Sequence, residues 1–467
     1  MTKDSEPLLY FQAPATGALP GRRLLLVSCL FPPDPSVGAL RWQKMARFAA
    51  ARGWGLDVIT LDPRGLEQSA KDRLEDLPPG TRVFAVRRPV VAFDKVALRV
   101  WTNARRLVSS PAESGSGAGA GAGDPSIPPP NTAVGRLRLH YLTQIDAIKT
   151  ARFVRSAVNA ARSIVQRGVH RWVISSGPPH MAHEAARAIA QEHGLPFAMD
   201  LRDPWCLAEV LPPDVDPKRY LRDAARNERR CVEDARLVIM NTEPAAELMR
   251  ERYPLLQDRI VAVRNGADDE PLPQPERPRQ FIVAFAGTLY IGRDPRPLFQ
   301  AAARVVQQLS LTPNDFRVMF MGSQALGSLR LSTLAADAGI EPFFSSEPTR
   351  PRREAFEFLA RAAMLVNFHQ DVDVSIPAKI YEYVRFNAWL LVLSPPGTAT
   401  EHLLRGSGAD VIAPDDVEGI AAAIRRRYED HCRGVRPRAV NADGRFDRAA
   451  QAAMLLDALE QRAEQPC

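Results

Sequence analysis

Cysteine is scarce in this 467-residue chain: five residues, Cys29, Cys206, Cys231, Cys432 and Cys467, with no C-x-x-C pair and no regular spacing. That pattern argues against both a structural zinc site and a disulfide framework. Long apolar runs are missing as well, and none approaches the roughly 20 residues of a membrane-spanning helix. The opening stretch "MTKDSEPLLYFQAPATGALPGRR" has no apolar segment behind a basic start. It does not read as a secretory signal, so a cytoplasmic protein is expected. A net charge of +7 suits nucleic acid, anionic lipid or phosphorylated ligands. The arginines gather in no basic tail and no nucleic-acid-binding motif occurs, so nucleic acid is not an expected partner. A Walker-type phosphate loop is also absent.

What is present is the balance of a soluble globular protein, 45% hydrophobic and 25% charged. The length exceeds one ordinary core and predicts two large domains. Short apolar runs alternate with helical periodicity: "RLLLVSCLF" (23–31), "LDVITL" (56–61), "TRVFAVRR", "WVISS" (172–176), "PFAMDL" (196–201), "RLVIMNT" (236–242) and "RIVAVRN" (259–265). A polar, proline-rich linker (266–280) follows. The pattern then restarts with "FIVAFAGTL", "FRVMFMGS", "IEPFFSS", "MLVNFH", "WLLVLS" and "ADVIAP". Continuous Val/Ile/Leu runs between helices mark parallel sheets covered on both faces. The division expected is a tail (1–21), a first doubly wound α/β domain (22–265) interrupted by a low-complexity loop (109–131), the linker, a second such domain (281–440) and a terminal helix (441–467).

Ligands of open α/β sheets bind outside the carboxyl ends of the strands, which directs attention to the strand-to-helix loops. In "FPPDPSVGALRW", Gly38 precedes a helix with Arg41 in its first turn; the pair suits a phosphate, or the glycine simply makes a turn. His180 opens a helix in "SSGPPHMAHEAA", as a ligand-contacting group or as a cap; His183 adds H-x-x-H without a third ligand, so no metal site is assigned. "MDLRDPW" clusters Asp200, Arg202 and Asp203, an acceptor site or a satisfied network. "VRNGADD" reads as a turn. In "FAGTLYIGRDPRPLF", Gly287 and Thr288 end a strand, with Arg293 and Arg296 after it, a composition that fits a diphosphate. "SIPAKIYEY" puts Lys379 and Glu382 on one helix face, either as a surface pair or as partners for phosphate and for vicinal ribose hydroxyls. The D-x-D triplets at Asp214/Asp216 and Asp371/Asp373 are expected by chance. "KVALRVWTNARRL" (95–107) is a packed helix or a peripheral contact with an anionic membrane.

In their order, "FPPDPSVGALRWQKMARFAAARGW", "SSGPPHMAH", "DLRDPW", "VRNGAD", "FAGTLY" and "PAKIYEYVRFNAWLLVL" resemble the family 4 retaining glycosyltransferases, from about Arg22 to Ile424. The resemblance implies the GT-B fold, two doubly wound Rossmann-like domains facing across a cleft. It implies a nucleotide-diphosphate-sugar donor on the C-terminal domain and a glycan or lipid-linked acceptor on the N-terminal one, with no cofactor and no metal. The work expected is cell-envelope or exopolysaccharide synthesis; the alternative is a non-catalytic nucleotide-binding scaffold. Carried over, His180, Arg293 and Lys379 are catalytic. Gly38, Arg41, Gly287, Thr288, Ser375, Ile376 and Glu382 hold the donor, and Asp200 and Asp203 lie on the acceptor side. One departure stands out: where the family often has a second glutamate, eight positions before Glu382, this chain has Val374.

Overall fold

The computed structural model describes residues 8–15, 17, 20–66, 68–89, 133–206, 217–276, 278–290, 293–325, 330–368 and 373–463. The loop 109–131, the segment 95–107 and the acids Asp214, Asp216 and Asp371 lie outside them. The chain divides into two compact units. Unit 1 comprises the described parts of Met1–Met240, Met249–Val261 and Leu456–Cys467; unit 2 comprises those of Asn241–Leu248 and Ala262–Leu455.

Unit 1 carries an eight-stranded sheet: β1 (Leu8–Gln12), β2 (Arg22–Ser28), β3 (Trp54–Leu61), β4 (Arg82–Val86), β5 (His170–Gly177), β6 (Phe197–Leu201), β7 (Leu237–Met240) and β8 (Ile260–Ala262), in the order β1-β4-β3-β2-β5-β6-β7-β8. β2 to β7 pair in parallel and follow the apolar runs. Every residue of β3 is buried, Asp57 and Thr60 included, so its sequence does not alternate apolar with polar. β1 departs from expectation: it sits within the stretch read as a tail, yet pairs antiparallel with β4, Leu8 opposite Ala85.

β3 also buries Asp57 completely, held by three neighbours. Arg23 (2.6 Å) and Arg82 (2.5 Å) pair with its carboxylate, and His170 Nε2 lies 2.9 Å away. Burial alone would raise the carboxyl, but the hydrogen bonds from Arg82, His170 and Arg23 win and hold it well below the usual carboxylate range.

Unit 2 has β9 (Phe281–Ala286), the two-residue pair β10 (Leu289–Tyr290) and β12 (Gln324–Ala325), β11 (Phe316–Met321), β13 (Phe344–Glu347), β14 (Met364–Phe368), β15 (Trp389–Leu393) and β16 (Asp410–Ile412). The main sheet is parallel throughout, in the order β13-β11-β9-β14-β15-β16. One face packs Phe281, Val283, Phe285, Phe316 and Phe320 against the helices Arg296–Gln308 and Val417–Cys432. The other packs Ile282, Ala284 and Leu365 against the helices Arg352–Ala360 and Ala378–Tyr383. Each large apolar side chain buried this way contributes about 1.5–3 kcal/mol. The terminal helix runs Arg448–Ala463, and the described residues include no helix long and apolar enough to cross a membrane.

Candidate functional site

From β4 onward in unit 1 and throughout the unit 2 main sheet the strand order reverses direction once, and that crevice is where a doubly wound sheet receives ligands. In unit 1 the reversal falls between β2 and β5, in unit 2 between β9 and β14. The residues singled out from sequence cluster behind these strands.

At the unit 1 reversal, the loop after β2 brings Gly38 against Arg202, which follows β6. A Cβ on Gly38 would stand 2.2 Å from Arg202 Nη1 and 2.6 Å from Leu30 Cδ1. The guanidinium also donates to the Pro178 carbonyl, and the Arg202 amide donates to Gly177 O at 2.9 Å. Arg202 thus ties together three loops, and the missing side chain of Gly38 leaves room for it. Arg41 and Asp200 meet each other. Both are buried, Arg41 forming a two-pronged pair with the Asp200 carboxylate (2.9 and 3.0 Å). Trp42 Nε1 adds a bond at 2.7 Å and Ser176 Oγ a longer one at 3.4 Å. This cluster joins the helix Leu40–Ala51 to β6.

His180 precedes the helix Met181–His193, its ring stacked on Trp205 at 4.7 Å between centroids and 10° between planes. Burial, and after it the Arg202 charge, holds its imidazole down at about 3. His183 is wholly buried, with Nδ1 2.7 Å from Ser175 Oγ, and is held well below the ordinary histidine value for the same first reason. Asp203 is exposed at the rim; the surrounding protein raises its carboxyl, with the Arg202 charge opposing the rise.

At the unit 2 reversal, Gly287 (φ 145°) follows β9 directly against Lys379, and a Cβ there would collide with the amine. Arg293 is buried and donates to Thr288 O at 3.2 Å. Burial pulls the Lys379 ammonium below the usual lysine range; Glu382 acts to raise it and Arg293 to lower it further. Two cations are thus held just after β9, Lys379 at Gly287 and Arg293 at the Thr288 carbonyl. Tyr383 anchors this helix: its hydroxyl accepts from Ala286 N (2.9 Å) and donates to Ala286 O (3.2 Å). Glu382 is half-exposed and pairs with Arg352 (3.4 Å), which also holds Glu270 (2.8 Å).

Between β14 and that helix, the carbonyls of Asp373, Val374 and Ser375 are taken by Ala399 N (2.7 Å), Thr242 Oγ1 (2.6 Å) and Thr400 Oγ1 (3.4 Å). Ser375 is half-buried and Ile376 buried. These bonds tie the described part of the loop to the rest of unit 2. No group of three or more metal-ligating residues occurs among the described residues. An open groove of about 980 Å³ in unit 2, lined by Arg279, Arg317, Met319, Glu347 and Arg361 among others, contains none of the site residues. Its lining carries charges of both signs, whereas Gly287 and Thr288 are flanked by the two cations Lys379 and Arg293.

Sequence reading missed Trp205, Tyr383 and Arg352, and left Arg202 without a role. Only Tyr383 carried a signal, lying four residues after Lys379 on the same short helix.

No family model matches the chain, and no curated protein does. Solved structures do. TarM superposes with a TM-score of 0.59 at 8% identity, over 94% of this chain and 98% of that one. The lipopolysaccharide outer core galactosyltransferase WaaB gives 0.56 at 9%, over 94% and 99%. A trehalose-6-phosphate protein from E. coli, bound with UDP-2-fluoro glucose, gives 0.56 at 12%, also over 94% and 99%. With two parallel Rossmann-like sheets and this coverage, the chain has the GT-B fold.

Proposed function

We propose that the chain is a retaining glycosyltransferase that moves a sugar from a nucleotide-diphosphate-sugar to a glycan or lipid-linked acceptor in cell-envelope or exopolysaccharide assembly. The observation that carries this is the Lys379 amine over Gly287, with Arg293 beside it and Glu382 one turn further along the helix. The structural neighbours add support: one is a galactosyltransferase and another was solved with a UDP-sugar analogue.

In this reading Glu382 accepts from the ribose hydroxyls, keeping or exchanging its bond to Arg352. The diphosphate lies over Gly287 and Thr288 against Lys379 and Arg293. The sugar C1–O bond breaks and its electron pair stays on the departing phosphate oxygen, where the two cations stabilise the growing charge. That oxygen takes the proton of the acceptor hydroxyl, and the new C1–O bond forms on the same face. His180 hydrogen-bonds the transferring sugar, and Asp203 lies on the acceptor side. The protein supplies position and charge, with no covalent intermediate and no metal step.

A second reading, a nucleotide-binding scaffold without turnover, draws on Val374 standing where a carboxylate would contact the sugar. Binding and turnover across a panel of nucleotide-sugars, wild type beside Glu382→Ala, separates the two. Thermal stabilisation by one donor, lost in the variant, with slow release of free sugar is the expected result. Nucleotide binding without turnover, even with lipid or glycan acceptors, supports the scaffold. No binding to any donor sinks the site.

A further inference from the structure

We infer that Trp205 is a positioning residue for His180: stacked on the imidazole, it fixes the ring with Nδ1 turned into the protein and Nε2–H turned toward a ligand oxygen. The inference rests on the transferase reading for the identity of that ligand, but its geometry stands on unit 1 alone.

Trp205 is itself buried, and it touches two histidines: His180 in a near-parallel stack and His183 at 5.6 Å between centroids. The two histidine rings lie 5.5 Å apart, so each side chain of the trio limits the other two. His183 is fixed independently by Ser175. Its Nε2 is buried without a partner, so we assign its proton to Nδ1, which donates to Ser175 Oγ.

The same reasoning orients His180. Its Nδ1 is buried and has no hydrogen-bond partner among the described residues. A proton there would bury a donor with nothing to accept it, a rarer arrangement than a buried lone pair. The proton therefore sits on Nε2, the nitrogen that is not enclosed. Burial and the nearby Arg202 charge keep a second proton off the ring.

A neutral ring offering one outward N–H suits a sugar hydroxyl or the oxygen of a glycosidic bond. It suits a phosphate less, since an anion is better met by imidazolium. Removing the indole would let the imidazole turn and mix its two tautomers. The stack is what makes His180 single-valued.

The test uses the full chain with ¹⁵N-labelled histidine, a His180→Asn spectrum to assign the signal, and the variants Trp205→Phe and Trp205→Leu. Kinetics are run with the nucleotide-sugar that stabilises wild type. The expected result is an Nε2–H signature for His180 in wild type and Trp205→Phe. In Trp205→Leu the shifts should average, and kcat should fall by about 10²-fold with little change in donor KM. A His180 signal unchanged in Trp205→Leu overturns the positioning role whatever the activity. Should Trp205→Leu not fold, a tautomer change in Trp205→Phe overturns it equally. Absence of donor binding by wild type would defeat the transferase reading, while the spectra still decide the role of Trp205.

Discussion

At the scale of single residues, the unit 2 site turns on one hydrogen atom. Gly287 holds φ at 145°, a backbone region that L side chains rarely adopt, and leaves the space that the Lys379 amine occupies. Gly287→Ala should cost about 1–3 kcal/mol of backbone strain and push the amine off its position. Calorimetry should then show weaker nucleotide-diphosphate binding. Lys379→Met removes a desolvated ammonium, so the fold should be as stable as before or more so, while kcat drops by about 10²–10³-fold. A variant as active as wild type in a transfer assay would remove Lys379 from the mechanism. Gly287, Lys379 and Glu382 were legible in the sequence because a loop glycine and a three-residue spacing announce themselves locally. Arg41 with Asp200 was not: the partners lie 159 residues apart, and only the β2–β5–β6 adjacency reveals that they neutralise each other.

At the scale of elements, a six-residue helix is too short to hold its own shape and depends on packing. The helix Ala378–Tyr383 is secured to the end of β9 by the Tyr383 hydroxyl, which satisfies both backbone groups of Ala286. Tyr383→Phe strands the Ala286 amide and should destabilise unit 2 by about 1–3 kcal/mol in urea unfolding. Donor KM should rise with it, because the same helix carries Lys379 and Glu382. An unchanged KM would mean that the helix keeps its place without the bond. Strands β2 to β7 were readable because two-sided burial writes itself as short, largely apolar runs between helical segments. β1 was not, since "LLYFQ" is a half-exposed edge strand whose partner β4 lies some seventy residues on. The loop between β14 and the helix could be singled out from its sequence. That its carbonyls are already engaged depends on Thr242, Ala399 and Thr400, which no local pattern links to it.

At the scale of the whole molecule, pH tests how unit 1 buries its ionisable groups. His180 titrates near 3 when folded against about 6.5 when unfolded. The unfolded chain thus binds a proton that the folded one refuses. This contribution to stability is complete above pH 6.5 and shrinks as pH falls toward 3, by up to about 1.4 kcal/mol per unit for each such histidine. His183 shifts in the same direction. Urea titrations from pH 7 to 4 should show this slope, and His180→Asn should flatten it; a slope unaltered by that substitution would contradict the burial of the ring. Asp57 acts lower, its contribution fading only below the ordinary aspartate range. The cluster around Asp57 has a further effect, on how the chain chooses among alternative pairings as it folds. Arg23 opposes His170 across β2 and β5, and Asp57 opposes Arg82 across β3 and β4, so the charges meet in a single alignment. A slip of one residue would turn a charged side chain to the other face of a buried sheet and leave it alone there. Asp57→Ala should cost about 3–5 kcal/mol by isolating Arg23. Replacing all four residues with apolar ones should preserve stability yet lower the yield of correctly refolded protein, because uniform hydrophobic strands no longer tell one alignment from the next.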